Sequence, residues 1–233
     1  ARELARLGAK VAVLDRNQAL AEKVAAEING IACACDITDT NSVNAALDKA
    51  AAAHGPARIL MNVAGIGSAK RIVGKDGNPA PLEDFVRVVQ INLIGSYNVS
   101  RLFAARCAKL DAAEGGDKGV MVFTASAAAF DGQVGQQAYS ASKAGVVGMT
   151  LPMARDLAQH GIRVCTIAPG LFATPLMKTL PEPVQASLAA SIPFPQRLGK
   201  PEEFAELACH IVGNGHLNGE VIRLDGALRM APR

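Results

Sequence analysis

Three residues of the sequence have the types and spacing of a proton-transfer site. Tyr139 and Lys143 are four residues apart at the start of a predicted helix, and Ser126 ends the predicted strand before it. Side chains at this spacing share one helix face, where an ammonium group stabilises the phenolate form of a tyrosine. A serine hydroxyl nearby can donate a hydrogen bond to a carbonyl oxygen and its developing oxyanion. We therefore predict acid–base chemistry on a carbonyl or alcohol, with Tyr139 as the acid–base group.

The elements that must position these residues alternate along the chain. Short apolar runs rich in β-branched residues, typical of parallel strands covered on both faces, alternate with longer amphipathic stretches. This order predicts an α/β fold with one Rossmann-like, doubly wound parallel sheet, in a single domain over residues 1–233. The predicted strands are 10–15, 31–36, 59–65, 119–126, 163–170 and 221–225, and the predicted helices are 18–28, 41–53 (capped near Thr40 or Asn41), 81–91, 95–109, 136–159 and 201–212.

The composition argues against several classes of protein. The 233 residues are 50% hydrophobic and 19% charged, with a net charge of +3, which suits a globular core but not a nucleic-acid surface. No apolar run approaches the roughly 18 residues that span a bilayer, so no membrane contact is predicted. Neither the four histidines nor the five cysteines have metal-ligand spacing, so we predict no metal. The lack of a Gly-x-Ser-x-Gly elbow argues against a hydrolase.

Several segments together resemble the short-chain dehydrogenase/reductase family. Asn62-Val-Ala-Gly65 is similar to the family's Asn-Ala-Gly strand end, Asn92 to its helix asparagine, and Ala168-Pro-Gly170 to its Pro-Gly turn. The serine, tyrosine and lysine introduced above match its catalytic set in identity and spacing. The resemblance covers residues 10–226, and it implies a Rossmann-like enzyme acting on a CH–OH group.

The resemblance also implies roles for individual residues. Tyr139 would transfer the proton, Ser126 would orient and polarise the substrate oxygen, and both would bind substrate together with Gln133. Lys143 would support Tyr139 and hydrogen-bond the nicotinamide ribose. Asn92 would hold a water that links Lys143 to solvent, or it would pin a bend in its helix, and both roles are compatible.

The cofactor implied by the resemblance is NAD. A carboxylate at the end of the second strand of such a fold accepts hydrogen bonds from the adenosine ribose and repels a 2′-phosphate, so Asp15 favours NAD over NADP, although Arg16 softens the repulsion. Asp36 would contact the adenine, or it would serve as a turn or capping acid. The cofactor-binding residues implied are Asp15, Asp36, Ile37, Asn62, Val63, Ala64, Gly65, Tyr139, Lys143, Pro169, Gly170, Phe172 and Thr174.

The family's glycine-rich phosphate loop and first strand have no counterpart in the sequence. The acid that contacts the ribose normally lies roughly 20 residues after that loop, whereas Asp15 is only the fifteenth residue. We therefore expect the domain to be N-terminally incomplete, by roughly 20 to 30 residues.

Further segments resemble one branch of the family, which oxidises 3-hydroxyacyl-CoA and is also classed with 17β-hydroxysteroid dehydrogenases. The predicted function is thus NAD-dependent, reversible oxidation of 3-hydroxyacyl-CoA to 3-oxoacyl-CoA. An insert at residues 66–84 carries Lys70, Arg71 and Lys75, which would meet the phosphates of coenzyme A or form a solvated loop. Residues 171–200 are expected to form a substrate lid. The segments that resemble this branch are 130–135, 148–156, 167–172, 193–199 and 217–226.

Other functions stay open at this point. Within enzymes, they are a 3-oxoacyl-carrier-protein reductase, which would prefer NADPH, and a hydroxysteroid dehydrogenase. A non-catalytic dinucleotide-binding scaffold is a different class, and it often loses the serine or tyrosine that this chain keeps. The resemblance further implies a homotetramer. We expect a cytoplasmic protein, or one of the mitochondrial matrix if a lost N-terminal segment carried a targeting signal.

Overall fold

Strands and helices alternate along the chain, as the sequence predicts. The computed structural model describes residues 1–113, 115–175 and 177–232. The strands are β1 (Ala12–Asp15), β2 (Ile31–Ala34), β3 (Ile59–Asn62), β4 (Gly119–Thr124), β5 (Ile162–Pro169) and β6 (Val221–Leu224). The helices are α1 (Arg2–Arg6), α2 (Gln18–Glu27), α3 (Thr40–His54), α4 (Leu82–Val89), α5 (Ser96–Cys107), α6 (Gln137–Leu157), α7 (Glu182–Ala190) and α8 (Pro201–Gly213).

The described strands pair only in parallel, but in two groups. Backbone hydrogen bonds join them in the orders β1–β2 and β3–β4–β5–β6. The predicted α/β fold with parallel strands is confirmed, and no described strand pairs β1 with β3. Leu14 of β1 and Leu60 of β3 nevertheless pack on one cluster with residues of α3 and α5, so the two sheets share a hydrophobic layer.

The central strands β4 and β5 are buried on both faces. Side chains alternate along a strand, so Met121 and Phe123 of β4 pack toward Phe103 of α5, while Val122 packs on the other face toward Ile211 of α8. This two-sided burial accounts for the uninterrupted apolar runs in the sequence.

The helices predicted at 81–91 and 95–109 form one continuous helical segment. A π-helical turn, Gln90–Gly95, joins α4 to α5, so the predicted break between them was wrong. Such turns hold one extra residue and often occur at functional sites. Here the turn buries Asn92 completely. Gly95 is required because a Cβ there would lie 2.7 Å from Cγ1 of Ile37.

The N-terminus of α3 also differs from the prediction. Asp39 is the N-cap, and its carboxylate accepts a hydrogen bond from the backbone N–H of Asn41 at 2.9 Å. Capping by Thr40 or Asn41 was therefore wrong, since Thr40 is already helical and the acid before it has the extended backbone of a cap.

Two irregular regions lie where the sequence predicts an insert and a lid. In the insert, residues 66–84, Val73 and Pro79 form a single antiparallel bridge. The lid, residues 171–200, contains α7 and a short 3-10 turn at Met177–Thr179. Leu176, which belongs to the predicted lid, lies outside the described residues.

Candidate active site

Ser126 lies just beyond the end of β4. Its backbone is extended (φ −167°, ψ 155°), and it starts a short 3-10 turn, Ala127–Ala129. The backbone N–H of Ala128 donates a hydrogen bond to Ser126 Oγ at 3.1 Å. Because this bond uses a lone pair of the oxygen, the hydroxyl proton stays available to donate. The half-buried hydroxyl can therefore bind a carbonyl or alcohol oxygen.

Lys143 is held between the end of β4 and Tyr139, one helical turn earlier on α6. Its Nζ donates to the Thr124 carbonyl at 2.6 Å and lies 5.9 Å from the centre of the Tyr139 ring. Only 4% of Lys143 is exposed, and this burial lowers its pKa to about 8, because loss of water disfavours the cation. The contact with Thr124 joins α6 to β4 two residues before Ser126.

The buried lysine predicts a pH-dependent stability. An unfolded lysine titrates at an ordinary pKa near 10.5, so between pH 8 and 10.5 the unfolded chain binds more protons than the folded one. The free energy of unfolding should therefore rise with pH across this window, by about 3 kcal/mol from Lys143. Urea unfolding of the parent and of Lys143→Met at several pH values measures it. Parallel curves for the two proteins would contradict the prediction.

Asn92 fastens the loop after β3 to α6. Its Oδ1 accepts from the backbone N–H of Ile66 at 2.8 Å, and its Nδ2 donates to the Ile66 carbonyl at 2.9 Å and to Ser142 Oγ at 3.0 Å. Ser142 Oγ in turn donates to the Tyr139 carbonyl at 2.7 Å. Its position in the π-helical turn fits the alternative that Asn92 pins a helix bend, while the water-holding role stays a prediction.

The loop after β3 leads from Asn62 past Lys143. Asn62 Nδ2 donates to Ser100 Oγ of α5 at 3.0 Å, and the next three residues are exposed. A Cβ at Gly65 would lie 3.2 Å from Asn92 Oδ1 and 3.4 Å from Lys143 Nζ. Glycine therefore keeps open the space above Lys143, where a ligand can approach the backbone closely.

The predicted adenosine-binding residues lie where the strands of the smaller sheet end. Asp15 is exposed at the end of β1, and its Oδ1 accepts from the backbone N–H of Asn17 at 2.8 Å. Asp36 follows β2, where the hydroxyl of Thr38, more than its backbone N–H, lowers the pKa of the carboxyl by hydrogen bonding. These bonds fit the alternative of a turn acid for Asp36. The carbonyl of Ile37 is bonded by a side chain of α5.

The residues predicted to meet the nicotinamide follow β5. Pro169 ends that strand, and the N–H of Gly170 donates to β6. The Phe172 ring packs edge-to-face on Phe204 of α8, with centroids 6.4 Å apart. The Thr174 hydroxyl accepts from the backbone N–H three residues later at 3.2 Å. Both side chains thus have partners within the protein, and their contact with a cofactor stays a prediction.

The insert lies against the start of α6. The backbone N–H of Lys70 donates to the Gly135 carbonyl at 2.8 Å, and its ammonium pairs with Asp84. Arg71 and Lys75 are exposed. A cavity of about 230 Å³ lies between the insert, α4 and the start of α6.

Gln133 is placed in the loop between Ser126 and Tyr139. Its Nε2 donates to the carbonyl of Ala231, near the C-terminus, at 3.0 Å. Its side chain is half-buried, so its predicted contact with substrate stays a prediction.

Some residues of the site were not singled out from the sequence. Ser142 had a usable signal, because it lies three residues after Tyr139 and so on nearly the same helix face. Thr124 had none, since it acts through its backbone carbonyl. Within residues 1–113, 115–175 and 177–232, no three metal-ligating side chains are grouped, and none of the helices is long and apolar enough to cross a bilayer.

Comparisons with known proteins identify the family and the type of fold. A family model described as short chain dehydrogenase matches residues 1–185. This chain belongs to the short-chain dehydrogenase family, and its fold is of the Rossmann type.

Individual relatives match almost the full chain. The 3-hydroxyacyl-CoA dehydrogenase type-2 of Drosophila melanogaster is 51% identical over 235 residues, which cover 100% of this chain and 92% of that protein. The crystal structure of 3-hydroxyacyl-CoA dehydrogenase type-2 from Mycobacterium avium is 44% identical, with a TM-score of 0.94, and the match covers 100% of this chain and 91% of that one.

A third relative was crystallised with a cofactor. The structure of 3-ketoacyl-(acyl-carrier-protein) reductase from Brucella melitensis complexed with NADH is 32% identical, with a TM-score of 0.86, and covers 99% of this chain and 92% of that one. This complex and the family membership support a nicotinamide dinucleotide as the cofactor.

Proposed function

We propose that this chain oxidises 3-hydroxyacyl-CoA to 3-oxoacyl-CoA, and catalyses the reverse reduction, with NAD as cofactor. The reaction type rests on the position of Lys143. Its Nζ bonds the Thr124 carbonyl, two residues before Ser126, and lies 5.9 Å from the centre of the Tyr139 ring. The substrate class is supported by the relatives named 3-hydroxyacyl-CoA dehydrogenase type-2, one of them 51% identical.

Each of the three side chains has a separate task. During oxidation Tyr139 accepts the proton of the substrate hydroxyl, and during reduction it returns that proton to the carbonyl oxygen. Lys143 stabilises the phenolate form of Tyr139 through its positive charge. Ser126 donates its hydroxyl hydrogen to the same substrate oxygen, which fixes the orientation of the substrate. When bound, the nicotinamide ring supplies the hydride chemistry.

The chain's own residues fit such a cofactor. Gly65 leaves room above Lys143 because it lacks the Cβ that would approach Nζ. Lys143 and Tyr139 would hold the nicotinamide ribose there, and Asp15, exposed at the end of β1, would accept hydrogen bonds from the adenosine ribose. The Asp15 carboxylate would repel a 2′-phosphate, which is why NAD is proposed rather than NADP.

The insert and the lid are the proposed acyl-CoA contacts. Arg71 and Lys75 are exposed cations that would meet the phosphates of coenzyme A. Lys70 would contribute less, because Asp84 already balances its charge. Residues 171–200, with α7, would cover the acyl chain.

The test is steady-state reduction of acetoacetyl-CoA, compared with the free β-ketone ethyl acetoacetate and with NADH against NADPH. The proposal expects a much higher kcat/KM for the CoA thioester and for NADH. Equal turnover of thioester and free ketone would overturn the acyl-CoA substrate. A preference for NADPH would overturn NAD as the cofactor. Faster turnover of an acyl-carrier-protein thioester than of acetoacetyl-CoA would favour the second candidate, a 3-oxoacyl-carrier-protein reductase, the activity named for the Brucella melitensis structure.

We also propose that the chain forms a homotetramer. Large apolar side chains are exposed along the α4–α5 segment, and self-association would bury them. They include Phe85 and Val86 of α4, Ile94 of the π-helical turn and Tyr97 of α5.

A further inference from the structure

The loop that joins Ser126 to Tyr139 is bonded to the C-terminal segment, residues 225–232, which follows β6. Gln133 Nε2 donates to the Ala231 carbonyl, and the backbone N–H of Val134 donates to the Pro232 carbonyl, each at 3.0 Å. Residues 127–136 thus depend on a segment that is far away in the sequence. The proposed proton chemistry needs the two ends of this loop at a fixed separation.

Arg223 of β6 makes hydrogen bonds and ion pairs to both the loop and the C-terminal segment. Its Nη2 donates to Asp131 of the loop at 2.5 Å and to the Leu228 carbonyl at 3.0 Å, while its Nε donates to Asp225 at 2.6 Å. The guanidinium carbon lies 5.0 Å from the centre of the Phe130 ring, a cation–π contact. One side chain therefore binds the sheet, the C-terminal segment and the loop.

Burial makes these contacts stronger than surface ion pairs. The side chain of Arg223 is 20% exposed, that of Asp131 is 21% exposed and that of Asp225 is 6% exposed. Water and salt screen such pairs less than exposed ones. Removal of one partner leaves the remaining charges poorly compensated, so the loop would be expected to move.

We propose that Arg223 and Asp131 are positioning residues for the proton-transfer site. Their ion pair fixes residues 127–136 against the C-terminal segment and so sets the separation of Ser126 and Tyr139. Neither residue is assigned a contact with substrate or cofactor. The inference rests on the proposed dehydrogenase function, because a displacement of about 1 Å in such a site can lower a rate about 100-fold.

The test compares two isosteric variants. Asp131→Asn removes the charge that Arg223 faces while it keeps the shape of the side chain. Asp117→Asn is the matched control, because Asp117 pairs at 2.7 Å with Arg163, whose side chain is 7% exposed, next to the amino ends of β4 and β5 and away from the site. Both variants lose one aspartate charge from an aspartate–arginine pair.

Three readouts are taken on each variant: kcat and KM for acetoacetyl-CoA, the Kd for NADH, and amide hydrogen exchange of residues 130–136. In Asp131→Asn we expect kcat to fall about 10-fold or more, Kd to stay unchanged and exchange in the loop to become faster. In Asp117→Asn we expect all three readouts to stay at the values of the parent. A kcat within twofold of the parent in Asp131→Asn, or an equal loss in both variants, would overturn the proposal.

Hydrogen exchange separates this inference from the proposed function. If the parent reduces no acetoacetyl-CoA, the proposed substrate fails, while faster loop exchange in Asp131→Asn alone would still support the ion pair as the restraint on the loop. Unchanged exchange in that variant overturns the inference whatever the parent's activity.

Discussion

Tyr139→Phe should lower kcat for acetoacetyl-CoA reduction about 1000-fold or more, while NADH still binds. The substitution deletes only the hydroxyl that gives and takes the proton, and a positioned acid–base group contributes roughly 100- to 10,000-fold to a rate. The ring and its neighbour Lys143 stay, so the fold and the ribose contact should persist. Steady-state kinetics measures kcat, and NADH fluorescence titration measures Kd.

Tyr97→Phe is the matched control. Tyr97 is the other tyrosine of the chain, 51% exposed on α5, and it should lose a hydroxyl without effect on the chemistry of one subunit. Retention of a tenth or more of the parent kcat by Tyr139→Phe would rule out Tyr139 as the acid–base group. A comparable loss in Tyr97→Phe would point to a general effect on folding or assembly.

Ser126→Ala should lower kcat about 100- to 1000-fold, the usual cost of one donor to a developing oxyanion. The oxygen accepts from the N–H of Ala128 at 3.1 Å, which leaves the hydroxyl proton free to rotate toward a substrate oxygen. The same bond contributes about 1 kcal/mol to stability, so thermal unfolding of the variant should be measured alongside its kinetics.

Two further serine variants separate chemistry from structure. Ser126→Thr keeps a hydroxyl, and an extended backbone suits a β-branched side chain, so it should retain far more activity than alanine. Ser140→Ala removes a hydroxyl beside Tyr139 that has no hydrogen-bond partner among the described residues, and it should leave kcat unchanged. Equal activity of Ser126→Ala and Ser126→Thr would refute the donor role.

The parts of the site that follow local patterns could be predicted from the sequence. Tyr139 and Lys143 are one helical turn apart, and the strand before them has an apolar run that is typical of a buried strand. Lys143 Nζ lies 5.9 Å from the centre of the Tyr139 ring, but the bond that holds it goes to the Thr124 carbonyl, which no side-chain pattern reveals. The α/β order and the parallel pairing were also predicted from local signals, namely periodicity and burial, and the structure confirms both.

Contacts between distant segments could not be predicted. Asn92 and Ser142 are 50 residues apart in sequence, and Asp131 and Arg223 are 92 apart, so their meeting depends on the packed fold. Gln133 illustrates the limit, since its side chain bonds a residue 98 positions away.

The π-helical turn at Gln90–Gly95 lets one continuous helical segment pack against two different helices. Each residue rotates an α-helix by about 100°, so one extra residue in a wide turn shifts the angular phase of everything after it. Before the turn, α4 packs against α6, and after it α5 packs against α3. A uniform helix would carry one apolar stripe and could not face both. Deletion of one residue from this turn would therefore rotate the whole of α5 and turn its packing face away from α3.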